Sequence, residues 1–122
     1  MLLHERAWEI LKPLFDRTRQ EKTELIQQYH DTERTSIDIA EILPAGFHGK
    51  VDTLFIENRT DIWGTYDPVH HLVKTGDSKE QPNVSLTNVL AIRTLLQGGM
   101  VYLTEKDEMP LPGSTVNALY RY

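Results

Sequence analysis

The chain has 122 residues, and 18 acidic residues against 13 Lys and Arg give it a formal net charge of −5 at pH 7. This length fits one domain with its own hydrophobic core, and the lack of cysteine excludes disulfides, thiolate metal ligands and a cysteine nucleophile. No apolar run is long enough to span a bilayer, and polar residues 4–6 interrupt the N-terminus where a signal peptide would be apolar. We therefore expect a soluble, cytoplasmic domain, and the acidic balance argues against a surface built mainly to hold phosphates.

The first 32 residues carry apolar side chains at three- and four-residue steps, which predicts an N-terminal helix or a kinked helix pair over 1–32. Pro13 falls inside this pattern and removes a backbone donor, so a kink or break is expected near Lys12. The basic residues of this stretch alternate with acidic ones. That pattern favours a helix face bearing ion pairs over a nucleic-acid footprint.

A second helix is predicted to follow directly. Ser36 is suited to its N-cap, and apolar residues from Ile37 to Leu43 supply the buried face. Pro44 and Gly46 are expected to end it or to tighten its last turn.

From Val51 the pattern changes to that of strands. Val51 to Ile56 predicts a strand covered on both faces, and residues 62–66, which carry Trp63, predict a second one. The connection between them is so short that antiparallel pairing is expected. Residues 69–73 could add a short strand. The polar segment 75–83 has no large apolar residue, which predicts a mobile insert.

A third helix is predicted over residues 86–96, capped by Asn83 or Ser85, with apolar residues around most of its circumference and hence largely buried. Gly98-Gly99 is expected to close it through a left-handed turn. Strands over 100–103 and 116–122 complete the pattern. The order of elements predicts one α/β domain over 1–122, a three-layer α/β/α sandwich with a mixed sheet of about four to five strands. A right-handed crossover should lead through the third helix to Met100.

The residue types that could carry chemistry do not form a recognisable site. His70 and His71 would point to opposite faces of a strand, which disfavours a metal site shared with His48. Asp52 and Glu57 are likewise placed on opposite faces, and no Gly-x-Ser-x-Gly motif occurs. We therefore predict no catalytic residue, no cofactor and no metal, and hence no enzyme.

Several short motifs, in this order, resemble domain three of archaeo-eukaryotic-type peptide-chain release factors, and most closely the bacterial branch of that superfamily. The match begins with Gly49 to Ile56 and Trp63-Gly64, continues through residues 85–91 and 95–101, and ends with Met109-Pro110 and Arg121-Tyr122. It covers nearly the whole chain, from about His4. The motif positions are Gly49, Val51, Asp52, Leu54, Trp63, Gly64, Gly98, Gly99, Pro110, Arg121 and Tyr122.

The resemblance implies a fold like that of Pelota and the kink-turn-binding ribosomal proteins, used mainly as a docking module. The catalytic Gly-Gly-Gln loop of such factors belongs to their middle domain and has no counterpart in this sequence. The expectation is a noncatalytic protein-interaction domain of a ribosome- or translation-associated protein, the C-terminal part of a longer chain, whose partner is the ribosome or a translational GTPase.

Two other functions stay open from the sequence. One is a kink-turn-type RNA-binding module, which the net charge of −5 disfavours. The other is an enzyme acting on an unidentified small molecule. For the leading function, the expected contact surfaces are the segment Thr65 to Asn83 and a sheet edge near Tyr120, because terminal strands are often at sheet edges.

Overall fold

Three α-helices and seven strands make up the part of the chain that the computed structural model describes, residues 2–76 and 83–122. In chain order they are α1 (Leu2–Gln28), β1 (Thr35–Ser36), α2 (Ile39–Phe47), β2 (Val51–Glu57), β3 (Trp63–Asp67), β4 (Leu72–Gly76), β5 (Val84–Ser85), α3 (Leu86–Leu96), β6 (Met100–Thr104), a 3-10 turn (Lys106–Glu108) and β7 (Val116–Tyr120). Within these residues no helix is long and apolar enough to cross a membrane.

The main sheet has four strands in the order β1-β7-β2-β6, and it is mixed because β2 is parallel to β6 and antiparallel to β7. Successive residues of β2 point to opposite faces of this sheet. Leu54 packs with Leu43 of α2 and Leu90 of α3, whereas Phe55 packs with Ile26 of α1. The helices therefore cover the sheet on both faces, and the predicted α/β class with a mixed sheet is confirmed.

A second, smaller sheet has the strand order β4-β3-β5, and it corrects one prediction. The strand that carries Trp63 was expected to pair with β2, but β3 pairs with β4 and β5 instead. The reason is that both sides of β2 are already paired. β6, which follows α3, lies on one side of β2, and β7 lies on the other. The small sheet packs on α2, where the rings of Phe47 and Tyr66 lie 4.7 Å apart.

The strand expected over 69–73 begins later in the structure, at Leu72, because residues 68–71 form a turn in which His71 has a φ of 55°. Of the predicted mobile insert 75–83, Thr75 and Gly76 belong to β4. Residues 77–82 lie outside the described part of the chain.

Proline does not interrupt either helix that contains it. α1 is one helix through Pro13, so the break expected near Lys12 is absent. Residues 12–17 are exposed, and water can hydrate the carbonyl that proline leaves without a donor. α2 continues through Pro44 to Phe47. The N-cap of α2 is Asp38, whose side chain accepts from the Ala40 N–H at 3.0 Å.

Ser36, which was predicted to be that cap, lies instead in β1. Its hydroxyl donates to Glu41 at 2.7 Å and accepts from the Asp38 N–H at 3.2 Å. The serine thus supports the first turn of α2 from outside the helix, and the prediction was wrong by two positions.

α3 is capped by Ser85, as predicted, with the hydroxyl accepting from the Asn88 N–H at 3.3 Å. The prediction that this helix is largely buried is wrong. Ile92, Leu95 and Leu96 are 49%, 57% and 76% exposed. Only one face of α3 packs on the sheet and on α2, and nothing in the described residues covers the opposite face.

Candidate functional site

Most of the motif residues meet at one end of the main sheet, where α2 and α3 finish. At the end of α2, Gly49 has a φ of 70° and donates to the Gly46 carbonyl at 3.2 Å, while Lys50 donates to the Ala45 carbonyl at 2.9 Å. This pair of hydrogen bonds is the Schellman motif, which requires a left-handed residue and so favours glycine. Gly49, and not Pro44 or Gly46, therefore ends α2.

α3 ends in the same way, with Gly98 at a φ of 83°. Gly98 donates to the Leu95 carbonyl at 3.2 Å, and Gly99 donates to the Thr94 carbonyl at 2.8 Å. The left-handed turn predicted at Gly98-Gly99 is confirmed. Each glycine turn leads directly into one of two adjacent parallel strands, β2 and β6.

Gln97 and Arg121 join these two turns, and we call the whole arrangement the paired caps. The Gln97 amide donates to the Gly46 carbonyl of the α2 end at 3.3 Å. The Arg121 guanidinium donates to the Gln97 carbonyl at 2.6 Å, and the Arg121 N–H donates to the Lys50 carbonyl at 2.8 Å. Residues far apart in the sequence therefore meet at one site.

An ion pair lies beside the paired caps. Lys22 of α1 donates to Asp52 at 2.9 Å, and the Thr53 hydroxyl donates to the same carboxylate at 2.7 Å. Burial acts to raise the pKa of Asp52, but the hydrogen bonds from Lys22 and Thr53 and the positive charges nearby outweigh it, so the pKa lies below its usual value. Asp52 is therefore an ionised anchor for α1.

Lys50 lies over two aromatic rings, 4.8 Å from the centre of Tyr120 and 5.6 Å from that of Tyr122. Such cation–π contacts are favourable, and cations near the C-terminal end of a helix also offset its negative dipole. Lys50 at the end of α2 and Arg121 at the end of α3 both fit this arrangement. Lys50 and Arg121 therefore both have partners within the domain.

The remaining motif residues have packing roles. Val51 and Leu54 belong to the core, and Pro110 is buried. At Trp63-Gly64, a Cβ added to Gly64 would collide with the Lys74 carbonyl of β4, so glycine is required where β3 and β4 approach each other. The motif residues singled out from the sequence thus have structural roles in this domain.

The histidines and carboxylates weighed from the sequence are mostly dispersed. The rings of His48 and His71 lie 5.0 Å apart, whereas His70 is bound to Asp67, with 2.6 Å between Nδ1 and Oδ2. That hydrogen bond is the main cause of a lowered pKa for Asp67. Asp61 accepts instead from the Ser85 hydroxyl. In residues 2–76 and 83–122, no three metal-ligating side chains lie together.

One of the two predicted contact surfaces is wrong. β7 is an internal strand between β1 and β2, and Tyr120 is only 6% exposed, so no sheet edge lies there. The C-terminal strand is internal because β1 adds to its outer side, a pairing too long-range to predict from the sequence. In the other surface, Thr65 to Asn83, Val69 and Leu72 are 79% and 55% exposed.

An exposed apolar surface that was not predicted from the sequence lies along β6, the outermost strand of the main sheet. No described strand pairs with the outer side of β6, and the strand itself, Met-Val-Tyr-Leu-Thr, carries no charge. Four apolar side chains border this edge, and we call them the β6 edge surface. They are Phe15 and Met100, each 38% exposed, Leu95 at 57% and Leu103 at 66%.

Helix geometry places the α3 member of this surface, Leu95, on the β6 side of the helix. Thr87, Leu90 and Thr94 face the core, and Arg93 lies over the Phe47 ring of α2, 4.2 Å from its centre. At 100° per residue, Ile92 then points away from the core, whereas Leu95 lies on the side away from α2. Three residues on that side, Asn88, Ala91 and Leu103, line one depression.

The opposite face of the sheet contributes Phe15 of α1, whose ring lies 5.3 Å from that of Tyr102. Apolar side chains therefore border β6 both above and below the sheet. One pattern in the sequence is related to this surface: apolar residues lie around most of the circumference of α3. That pattern predicts burial, and it does not distinguish burial in the fold from burial by a partner.

The backbone of β6 is also open at this edge. The Thr104 carbonyl accepts a hydrogen bond from the Asn58 N–H at 2.8 Å. Asn58 directly follows β2, so this carbonyl points inward, toward β2. Because the N–H and C=O groups of alternate residues point to opposite sides of a strand, those of Val101 and Leu103 point outward.

Neither a family model nor a curated protein matches this chain.

Proposed function

We propose that this chain is a noncatalytic protein-interaction domain of a release-factor-like, translation-associated protein, and that it docks partners along the β6 edge surface. The observation that carries the proposal is an uncharged edge strand with outward backbone groups, bordered by half-exposed Leu95 and Leu103. The translation context is supported by the ordered motifs that form the paired caps.

The open apolar edge lowers the stability of the isolated domain. Fully burying a leucine-sized side chain is worth about 1.5–3 kcal/mol, so leaving several of them half in water forgoes several kcal/mol of stability. Proteins usually protect an exposed edge strand with a charge, a proline or a bulge. The edge strand β4 carries Lys74, whereas β6 has no such residue. An unprotected apolar edge is typical of a binding surface.

The alternative is a kink-turn-type RNA-binding module, and the observation that favours it is the set of cations near the paired caps, Lys22, Lys50 and Arg121. Each of these already has a partner within the domain: Asp52, the tyrosine rings and the Gln97 carbonyl, respectively. A phosphate would have to compete with those contacts. Affinity for a kink-turn RNA that falls steeply with salt would favour this alternative over protein docking.

The test of the proposal is binding to purified ribosomes and translational GTPases, with the whole chain immobilised. We expect enrichment over an unrelated domain of similar acidity, and loss of it in Leu103→Lys, because the new charge would be buried at the interface. Leu72→Lys is the matched control, since Leu72 is similarly exposed on β4.

Each other result has a definite reading. Loss of binding in Leu72→Lys but not in Leu103→Lys would move the docking surface to β4. No enrichment of the wild-type chain over the acidic control would refute the proposed function.

A further inference from the structure

We propose that the β6 edge surface binds the same surface of a second copy of this chain, so that the two β6 strands pair antiparallel and the two main sheets become continuous. This inference rests on the proposed use of the edge for docking and names its partner. Three features support it: the self-complementary register of β6, the apolar side chains on both faces, and the area available.

The register follows from which backbone groups are free. With the two-fold axis at Tyr102, Val101 of one copy lies opposite Leu103 of the other. These are the two residues whose N–H and C=O groups point outward. They would form hydrogen-bonded pairs on both sides of the axis, while Tyr102 faces its own copy in a non-hydrogen-bonded pair. The strand is therefore complementary to itself.

The side chains agree with this register. Residues directly opposite each other in an antiparallel pair share a face of the sheet. Leu103, which is 66% exposed, would pack on Val101 of the second copy, with Leu95 of both copies beside them. On the other face Met100 would lie opposite Thr104 of the second copy, next to Phe15. The charged groups that border the contact are already paired within their own copy: Arg19, which donates to the Thr104 hydroxyl, pairs with Glu108, and Glu105 pairs with Arg59.

The area is sufficient for a reversible dimer. At about 30 Å² per CH₂, the exposed fractions of the four side chains amount to roughly 270 Å² of apolar surface per copy. A standard interface buries about 800 Å² per partner, a little over half of it apolar. The β6 edge surface supplies most of that apolar share before the strand backbone is counted. We therefore expect dissociation in the micromolar range.

Charge opposes this pairing and therefore gives it a characteristic salt dependence. Each copy has a net charge of −5, so two copies repel each other. Screening by salt should weaken that repulsion. Dimerisation is therefore expected to strengthen as salt is raised, the opposite of the salt dependence of binding to a nucleic acid.

Sedimentation of the whole chain from about 1 to 500 μM tests the inference, because that range brackets a micromolar dissociation constant. The wild type should pass from monomer to dimer, and Leu103→Lys should stay monomeric or dissociate at least tenfold more readily. Leu72→Lys should behave as wild type. Circular dichroism verifies that both variants are folded.

A second measurement follows the backbone. Hydrogen exchange at the amides of Val101 and Leu103 should slow as the wild-type concentration rises, and should not change with concentration in Leu103→Lys. Protection of other amides instead would overturn the register even if a dimer forms.

The two proposals fail separately. A wild-type chain that stays monomeric over the whole range, or a dimer that persists in Leu103→Lys, overturns pairing with a second copy. If Leu103→Lys still abolishes binding to ribosomes or a translational GTPase in that case, the edge is a docking surface for another protein and the proposed function stands.

Discussion

Replacing Gly99 by alanine is expected to destabilise the domain more than replacing its neighbour Gly98, for a reason visible in the paired caps. A Cβ on Gly99 would lie 2.7 Å from Thr94 Cγ2, 2.9 Å from the Val51 carbonyl oxygen and 3.1 Å from that of Asp52. Two of these three atoms belong to the backbone of β2, which is held next to them by pairing of Val51 with β7 and of Thr53 with both β6 and β7.

The magnitudes of the two substitutions differ by mechanism. Adding atoms to a packed region costs about 1–3 kcal/mol, and immobile neighbours place Gly99→Ala in the upper part of that range. At Gly98 the new Cβ has open space, with its nearest neighbour, Arg121 Nη2, 3.9 Å away. The cost there is only that of the left-handed backbone, about 1 kcal/mol for alanine and less for asparagine.

Urea unfolding followed by circular dichroism measures these differences, provided that the slope m is unchanged. We expect the order of stability wild type, Gly98→Asn, Gly98→Ala, Gly99→Ala. A double-mutant cycle of Gly99→Ala with Thr94→Ser removes the methyl contact and should recover less than half of the loss, because the two carbonyls remain. The reasoning would be refuted if Gly99→Ala cost no more than Gly98→Ala, or if Thr94→Ser recovered the whole loss.

Two further substitutions test the electrostatics and the core. Lys22→Met should lower the free energy of unfolding at pH 7 by about 0.5–1 kcal/mol. The pKa of Asp52 in the folded protein lies below its usual value. The ion pair therefore stabilises the fold above about pH 4, and this stabilisation is lost as the pH falls through the lowered pKa. Thermal unfolding at neutral and strongly acidic pH would show it, and an equal loss at both contradicts the ion pair. Asn117→Ala should cost about 2–4 kcal/mol in urea unfolding, because the fully buried Asn117 accepts from the Leu111 N–H at 2.7 Å and its loss leaves that donor unpaired. A loss below 1 kcal/mol would mean that the bond is unimportant.

Local signals in the sequence predicted the features that depend on neighbouring residues. Ser85 precedes a helix that needs an acceptor for its free N–H groups, and Gly98 follows one that needs a left-handed residue, so both were recognisable without knowledge of the fold. The change of period at Val51 from helix to strand is equally local. For these elements the pattern and the structure agree.

The failures at Trp63, Tyr120 and Leu95 concern partners that are distant in the sequence. Nothing next to Trp63 shows that both sides of β2 are filled by strands from elsewhere, and nothing next to Tyr120 shows that β1 covers the outer side of β7. Likewise, Leu95 has the same apolar character whether the fold or a second molecule covers it. The candidate surface therefore emerged only when the burial of each residue was known.

The central position of β7 has a consequence for how the domain is made. Its residues pair with β1 and β2, and the Arg34 guanidinium donates to the Tyr120 carbonyl across a separation of 86 residues. During synthesis β1 and β2 exist long before the strand that must lie between them, so the main sheet cannot close until residues 116–120 have left the ribosome. Long-range pairing of this kind also slows folding. Until that point the nascent chain exposes unpaired edges on β2 as well as on β6, and the helices alone must keep them apart from other chains.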